Sequence, residues 1–147
     1  MFKHILAPTD GSKLSLKAVD QAITLALETG AKLSLVTVMS PYPVVFAGDG
    51  YAIQPMSPKD WDVSMKKQAA IHLAVAEKRA TARNLQVNLI TVLNDEPYNG
   101  IIATAKKKKC DLIMMASHGR RGLAALILGS ETNKVLTHSN IPVLVWR

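Results

Sequence analysis

The feature that most constrains this chain is a regular alternation of short apolar runs with helical segments. Five apolar runs have the length of strands: residues 2–8, 33–39, 85–93, 112–116 and 141–146. Between them lie stretches whose apolar residues recur every three or four positions, which is the period of an amphipathic helix. Strands that alternate with helices favour a parallel sheet covered on both sides. The pattern therefore predicts an α/β fold with an open five-stranded parallel sheet and helices on both faces.

Residues with strong end preferences mark the predicted helices. Ser12 suits the N-cap of a helix that runs to about residue 29, and Gly30 suits its terminator. Ser57 and Pro58 suit the N-cap and first position of a second helix, which runs to about residue 83. The remaining two helices are predicted over 97–108 and 130–138.

Length and composition place limits on the class of protein. A chain of 147 residues fits one domain (1–147) with a sizeable core. No apolar run reaches the roughly 18 residues that a membrane span needs. The apolar patch at the start of the sequence is too short for a signal peptide. The single cysteine, Cys110, cannot form an internal disulfide, which agrees with a reducing compartment. We therefore expect a cytoplasmic protein with no membrane segment.

The net charge of +7 raises the question of a nucleic-acid partner. The most basic run, Lys106–Lys109, ends a predicted helix, where cations interact favourably with the helix dipole. Aromatic residues are few and none lie within that run, so a stacking platform for single strands is not expected. We interpret the run as a solvated helix end, with a patch for polyanions as the alternative, and nucleic acid is not the expected partner. The excess charge would still attract small anions such as nucleotides.

In an open parallel sheet, ligands bind beyond the carboxyl ends of the strands, where the strand order reverses. Three loops fall at that edge: 9–12, the residues after Met39, and 117–129. The last loop contains glycines and ends in Gly129-Ser130 at a helix start, where free N–H groups favour an anion. The alternative is that Ser130 only caps the helix and the glycines only form turns. The P-loop and dinucleotide glycine patterns are both absent.

Over nearly its whole length the sequence resembles the universal stress proteins of the UspA superfamily. The residues that carry the resemblance are ILAPTDGS (5–12), LVTVM (35–39), CDLIMMASHGRRG (110–122), LGSETNKVL (128–136) and IPVLVWR (141–147). ATP-binding members of that family share the pattern G-x2-G-x9-G-[S/T], which here falls on Ala116, Gly119, Gly129 and Ser130. Three of the four positions match. The resemblance implies a Rossmann-like sheet of the adenine nucleotide alpha hydrolase-like type.

The same resemblance implies roles for individual residues and a ligand, ATP or AMP, with Mg²⁺ left open. Asp10, which follows Pro8 and Thr9, would lie near the ribose and the metal-bound phosphates. Val38 would meet the edge of the adenine through its backbone. The residues that would surround the ribose and phosphates are Met115, Ala116, Ser117, His118, Gly119, Arg120, Arg121 and Gly122, and those that would hold the phosphates are Gly129, Ser130, Glu131 and Thr132.

Two residues depart from what a phosphate site favours. If Ala116 has a positive φ, alanine costs about 1 kcal/mol relative to glycine, whereas a negative φ adds only a methyl group near the sugar. Glu131 places a carboxylate in the first turn of a helix, where it competes with phosphate for the same positive field. These departures motivate an alternative, a nucleotide-free dimer that acts only through protein contacts.

Other polar residues have weaker signals. His118, Arg120 and Arg121 could contact phosphate or could be solvated loop residues. We interpret Cys110 as a small packing residue, and the remaining histidines lack the spacing of metal ligands, so we expect structural roles for them: His4, His72 and His138. No arrangement for acid–base or nucleophilic catalysis is evident, so a binding module with regulatory or sensing function is the leading hypothesis, and slow nucleotide hydrolysis is a further alternative.

Two further predictions concern segments outside the motif. The irregular stretch 40–57 follows the second strand, and we expect it to fold over a nucleotide as a lid. The hydrophobic C-terminal run 141–147 is predicted to be an edge strand, and an exposed strand edge is a template for pairing. The family resemblance implies that it pairs with its copy in a homodimer, and the alternative is an edge covered within the monomer.

Overall fold

The computed structural model describes residues 1–43, 56–119 and 128–147. Within these ranges all of the predicted strands and helices are present, and each predicted boundary lies within two residues of the observed one. None of the described helices is both long enough and apolar enough to cross a membrane. The elements are, in chain order, β1 (His4–Pro8), α1 (Lys13–Thr29), β2 (Lys32–Met39), α2 (Pro58–Thr81), β3 (Val87–Leu93), α3 (Pro97–Lys107), β4 (Leu112–Ala116), α4 (Ser130–His138) and β5 (Val143–Trp146).

The strands form one parallel sheet in the order β3-β2-β1-β4-β5. The chain adds β2 and β3 on one side of β1 and then returns to add β4 and β5 on the other side. The direction of growth therefore reverses between β1 and β4, which is where sheets of this kind form a ligand crevice. This Rossmann-like arrangement confirms the predicted open parallel sheet.

Two apolar layers, one on each face of the sheet, form the core. Ile5 is buried in the layer that contains Val19 of α1, whereas Leu6 is buried in the layer that contains Ile102 of α3. Consecutive residues of a strand point to opposite faces, so a strand between two helical layers must be apolar throughout. All five residues of β4 are buried, which confirms the prediction of a strand covered on both faces.

The predicted end signals of α1 and α2 have the expected geometry. The hydroxyl oxygen of Ser12 accepts the backbone N–H of Ser15 over 3.2 Å. The hydroxyl oxygen of Ser57 accepts the backbone N–H of Asp60 over 3.1 Å. Gly30 follows α1 with φ +68°, a conformation that glycine adopts without steric cost. These local interactions explain why sequence signals alone located the helices closely.

Candidate functional site

The two halves of the 116–130 motif meet at the carboxyl end of β4. The N–H of Gly129 donates to the carbonyl of Ser117 over 2.7 Å. The buried hydroxyl of Thr132, in the first turn of α4, donates to the carbonyl of Ala116 over 2.9 Å. Together these bonds hold the start of α4 against the end of β4, at the point where the strand order reverses.

The first and last glycines of this motif each have a steric reason to lack a side chain. A Cβ atom on Gly129 would lie 3.0 Å from the Cβ and 3.1 Å from the Cα of His118. A Cβ atom on Gly119 would lie 2.5 Å from Oδ2 of Asp10. The spacing of these glycines therefore reflects two close approaches, one to the backbone beside β4 and one to a carboxylate that follows β1.

The turn after β1 is held by its own side chains. Oδ1 of Asp10 accepts the backbone N–H of the residue two positions later over 3.0 Å. The hydroxyl oxygen of Thr9 accepts the N–H of Gly11 over 3.2 Å. The hydroxyl of Thr37 in β2 donates to the carbonyl of Thr9 over 2.9 Å. Because Oδ2 of Asp10 faces Gly119, this carboxylate lies between the β1 turn and the loop that follows β4.

Ala116 occupies an ordinary strand position. It is the last residue of β4, pairs with Trp146 of β5 and is only 6% exposed. Among the described non-glycine residues, positive φ values occur at Asn84 and Lys109. The cost of about 1 kcal/mol that a left-handed alanine would carry therefore does not arise at Ala116. The departure from the glycine pattern amounts to one added methyl group.

The start of α4 presents backbone N–H groups at the reversal point. Its hydrogen-bond ladder begins with the N–H of Asn133, which donates to the carbonyl of Gly129 over 3.0 Å. The amides of Ser130, Glu131 and Thr132 precede that ladder, as in any α-helix. Amides at the positive end of a helix dipole suit an anionic ligand such as a phosphate group.

The side chain of Glu131 is engaged by a different helix. Oε2 of Glu131 accepts the backbone N–H of Tyr98, in the first turn of α3, over 2.8 Å. The N-cap residue of α3, Glu96, makes no capping bond with its own side chain, so Glu131 takes that role from α4. Oε1 of Glu131 also lies 3.8 Å from Nζ of Lys134. These partners reduce the competition with phosphate that the sequence suggested for this carboxylate.

Burial decides which atoms of the β4 end could reach a ligand. Met115, Ala116 and Ser117 are at most 6% exposed as whole residues, so their side chains are covered by the surrounding protein. The hydroxyl of Ser117 forms a hydrogen bond of 3.2 Å with Nδ1 of the half-buried His118. Three residues of the expected site lie outside the described residues: Arg120, Arg121 and Gly122. Residues 44–55 of the expected lid also lie outside them, so the roles of both regions stay predictions.

Val38 directs its backbone toward the crevice. The carbonyl of Val36 accepts the N–H of Thr9, and Val36 pairs with Pro8, the last residue of β1. Backbone groups two residues apart on a strand face the same side, so the N–H and carbonyl of Val38 face the same side as those of Val36. Because β1 ends opposite Val36, these groups of Val38 face the space beyond the end of β1. The side chain of Val38 packs against α3, with both methyl groups 3.2 Å from a Cβ built on Gly100.

The structure places one histidine beside the site that sequence spacing did not indicate. A Cβ atom on Gly11, which has φ +77°, would overlap the ring of His72 from α2. His72 therefore packs against the turn that carries Asp10. The sequence gives no signal for this contact, because the contact depends on how α2 lies against the β1 turn. His4, in β1, also has a partner, since its Nε2 lies 2.8 Å from Oγ of Ser34.

Cys110 and Asp111 lie at the opposite edge of the sheet, where β4 begins. Burial raises the pKa of the Cys110 thiol to about 11, so the less reactive thiol form prevails at neutral pH. This environment fits the interpretation of Cys110 as a packing residue. Burial also opposes ionisation of Asp111, but hydrogen bonds from the backbone N–H groups of His4 and Lys3 outweigh it and lower the pKa of its carboxyl.

Fold and site together define a class of protein: a Rossmann-like α/β domain with a helix start suited to anions at the reversal point of its sheet. The model of the universal stress protein family matches residues 1–147, and the chain belongs to that family.

Relatives and solved structures of the same family cover nearly the whole chain. Universal stress protein YxiE of Bacillus subtilis is 33% identical and covers 100% of both chains. A universal stress protein of Methanocaldococcus jannaschii is 32% identical over 99% of this chain and 82% of its own. The structure of hypothetical protein MJ0577 has a TM-score of 0.79 at 25% identity, over 99% of this chain and 95% of that one. A universal stress protein in complex with cAMP has a TM-score of 0.73 at 26% identity, over 99% and 97% of the two chains.

Proposed function

We propose that this protein binds an adenine nucleotide, ATP or AMP, in the crevice between β1 and β4. In this role it would be a regulatory or sensing module of a stress response. The observation that carries the proposal is the attachment of the α4 start to the end of β4 by the bonds Gly129–Ser117 and Thr132–Ala116. The similar universal stress protein that was solved with cAMP supports the adenine nucleotide class.

The donors and acceptors around the crevice fit such a ligand. The amides at the start of α4 suit the phosphates, because helix N-termini favour anions. The backbone of Val38 suits hydrogen bonds to the edge of the adenine, and Asp10 suits the ribose. The carboxylate of Asp10 could also share a Mg²⁺ ion with the phosphates, since hard cations prefer oxygen ligands. The described residues hold no group of three His, Cys, Asp or Glu side chains for a metal, so a bound ion would depend on the nucleotide itself.

Two local features of the structure support nucleotide binding despite the departures at Ala116 and Glu131. Ala116 is not strained, and the carboxylate of Glu131 is bound to Tyr98. The loop of Gly119 also approaches Asp10 closely enough that a side chain would disturb the carboxylate. We therefore retain the nucleotide-free dimer only as an outcome of the experiments.

A proline substitution at Ser130 tests the role of the helix start without breaking the helix. Ser130 is the first residue of α4, where the N–H has no acceptor in the ladder and proline is well tolerated. Gly129 has φ −71° and ψ 159°, an extended conformation that suits a residue before proline. Both α2 and α3 of this chain already begin with proline. Ser130→Pro therefore removes one amide donor and one hydroxyl, whereas Ser130→Ala removes only the hydroxyl.

Isothermal titration with ATP, AMP and cAMP, with and without Mg²⁺, measures the effect. A hydrogen bond to a charged group contributes about 1.5–3 kcal/mol, so Ser130→Pro is expected to weaken binding about 10- to 100-fold. Ser130→Ala should bind more tightly than Ser130→Pro, and both should melt within about 2 °C of the wild type. Equal affinities in the wild type and Ser130→Pro would refute the proposed phosphate position. No adenine nucleotide in the denatured extract and no binding heat would favour the nucleotide-free alternative.

The same nucleotides distinguish a binding module from a hydrolase. Incubation with ATP and Mg²⁺ should give product formation close to background. Turnover well above background that Asp10→Asn abolishes would instead assign an enzyme.

We further propose a cytoplasmic homodimer that pairs through the C-terminal strand. β5 ends the sheet and is hydrogen-bonded to β4 on one side. The carbonyls of Pro142 and Trp146 accept the N–H groups of Ile113 and Ser117, so the backbone groups of Val143 and Val145 point to the outer edge. Leu144 exposes 38% of its surface beside this edge. A second copy of β5 would satisfy the outward-pointing groups.

Val145→Pro tests the dimer, because it removes an outward N–H while leaving the ladder to β4 intact. Val145→Thr keeps both the N–H and the side-chain shape, and it is the matched control. Light scattering after size-exclusion chromatography should show a dimer for the wild type and Val145→Thr and a monomer for Val145→Pro. A wild-type monomer, or a dimer that persists in Val145→Pro, would contradict pairing through β5.

A further inference from the structure

The edge of the sheet opposite the crevice carries a row of lysines on adjacent elements. Lys32 begins β2, and its N–H donates to the carbonyl of Lys3, which precedes β1, over 2.9 Å. The N–H of Lys3 in turn donates to Asp111, at the start of β4, over 2.8 Å to the nearer oxygen. Adjacent strands lie about 4.8 Å apart, so these lysines follow one another at short intervals across the sheet. Asp111 in turn follows the run Lys106–Lys109 by two residues, and all six of these lysines are exposed.

Lys109 occupies a backbone position that lysine rarely adopts. Each of the first three helices is followed by a left-handed residue: Gly30 (φ +68°), Asn84 (φ +58°) and Lys109 (φ +56°). After α3 the N–H of Cys110 donates to Ala105 over 2.9 Å, which completes a Schellman cap. Glycine and asparagine tolerate this conformation, whereas a lysine there raises the energy of the fold. A residue in an unfavourable backbone conformation is a reason to look for a role, and here the feature that distinguishes Lys109 from glycine is its charge.

A favourable interaction with the dipole of α3 explains the presence of only some of these lysines. Lys106 and Lys107 lie in the last turn of α3, where cations offset the partial charge of the helix end. Lys3 and Lys32 lie at the starts of strands and gain no such benefit. Two carboxylates, Glu28 and Asp111, also occur at this edge, and Asp111 is bound to backbone N–H groups. The lysines therefore remain in excess.

We propose that the lysine row, defined as Lys3, Lys32 and Lys106–Lys109, binds a linear chain of phosphate groups, either a nucleic-acid backbone or inorganic polyphosphate. A row of point charges matches a chain of anions, and contacts to a phosphate backbone need no aromatic stacking. The row lies at the opposite edge of the sheet from the proposed nucleotide crevice. The two sites are therefore independent, and either proposal can fail without the other.

Fluorescence anisotropy with a labelled 20-base-pair duplex, and competition by polyphosphate, test this site. If the six lysines each contact one phosphate, wild-type affinity should fall about 1,000-fold between 50 and 200 mM salt. Replacing Lys106–Lys109 with glutamine should reduce the slope of log K against log salt by about 3–4. Replacing Lys17, Lys59, Lys66 and Lys67 with glutamine removes the same charge elsewhere on the surface and should leave the slope nearly unchanged.

Lys109→Gly separates function from folding. This variant should raise the melting temperature, because glycine relieves the left-handed backbone, and it should weaken binding several-fold because one contact is lost. Competition by polyphosphate at equal charge concentration would show that phosphate chains suffice, whereas competition by duplex alone would assign a nucleic acid. Equal losses in the two four-lysine variants would overturn the proposal. So would the absence of wild-type binding to both the duplex and labelled polyphosphate at 50 mM salt, or binding to anionic phosphatidylglycerol vesicles without binding to either phosphate chain.

Discussion

Replacing Ala116 with glycine tests whether this departure from the glycine pattern is harmless. In the structure, Ala116 is a buried strand residue with an ordinary backbone. Ala116→Gly would therefore lose a buried methyl group, worth about 0.8 kcal/mol, and incur the conformational cost of glycine in a strand, about 0.5–1 kcal/mol. The variant should be about 1.5 kcal/mol less stable than the wild type.

Urea denaturation measures this change, and a thermal melt should show a decrease of about 3–6 °C for a chain of this size. Ala7→Gly is the matched control, because Ala7 is a fully buried alanine in β1, and it should lose a similar amount of stability. If Ala116→Gly is instead more stable than the wild type, Ala116 is strained and the backbone argument is wrong. Nucleotide affinity should stay within about threefold of the wild type, and a tenfold gain would mean that the methyl group obstructs the ligand.

Two further predictions concern the packing around this site and the opposite edge. Thr132→Val keeps the shape of the side chain but leaves the carbonyl of Ala116 without its donor, so stability should fall by about 1–2 kcal/mol in urea denaturation. Thr137→Val, which removes an exposed bond to Asn133 in the same helix, should cost much less, and equal losses would contradict a special role for Thr132. Burial raises the pKa of Cys110 to about 11, so the folded chain keeps a proton that the unfolded chain loses near pH 9. Stability should therefore fall as pH rises from about 9 to about 11, and a wild-type slope no steeper than that of Cys110→Ala would refute this.

Sequence reasoning located the elements of the fold because their signals are local. The cap at Ser12 and the terminator at Gly30 act within a few residues, and their observed geometry matches the prediction. The uninterrupted apolar sequence of β4 likewise predicts burial on both faces, and all five of its residues are buried. Reasoning from the sequence also selected the 116–130 motif, since the spacing of Gly119 and Gly129 is visible without coordinates.

Contacts between distant segments could not be read in the same way. The approach of Gly119 to Asp10, and of Gly11 to His72, depends on which strands and helices are neighbours. The sequence alone suggests that the carboxylate of Glu131 interacts with the N–H groups at the start of its own helix, α4. Its partner, Tyr98, begins a different helix that the fold places alongside.

The sequence by itself determined the kind of fold, its element boundaries and the family, because periodicity, end signals and motif spacing are properties of neighbouring residues. Only the tertiary structure decided the backbone conformation of Ala116, the partner of Glu131 and the placement of Lys3 and Lys32 at the same sheet edge as the end of α3. The physical reason is that backbone angles at strand ends, and charges that meet across a sheet, are fixed by strand order and register. These are set by the packing of the whole chain.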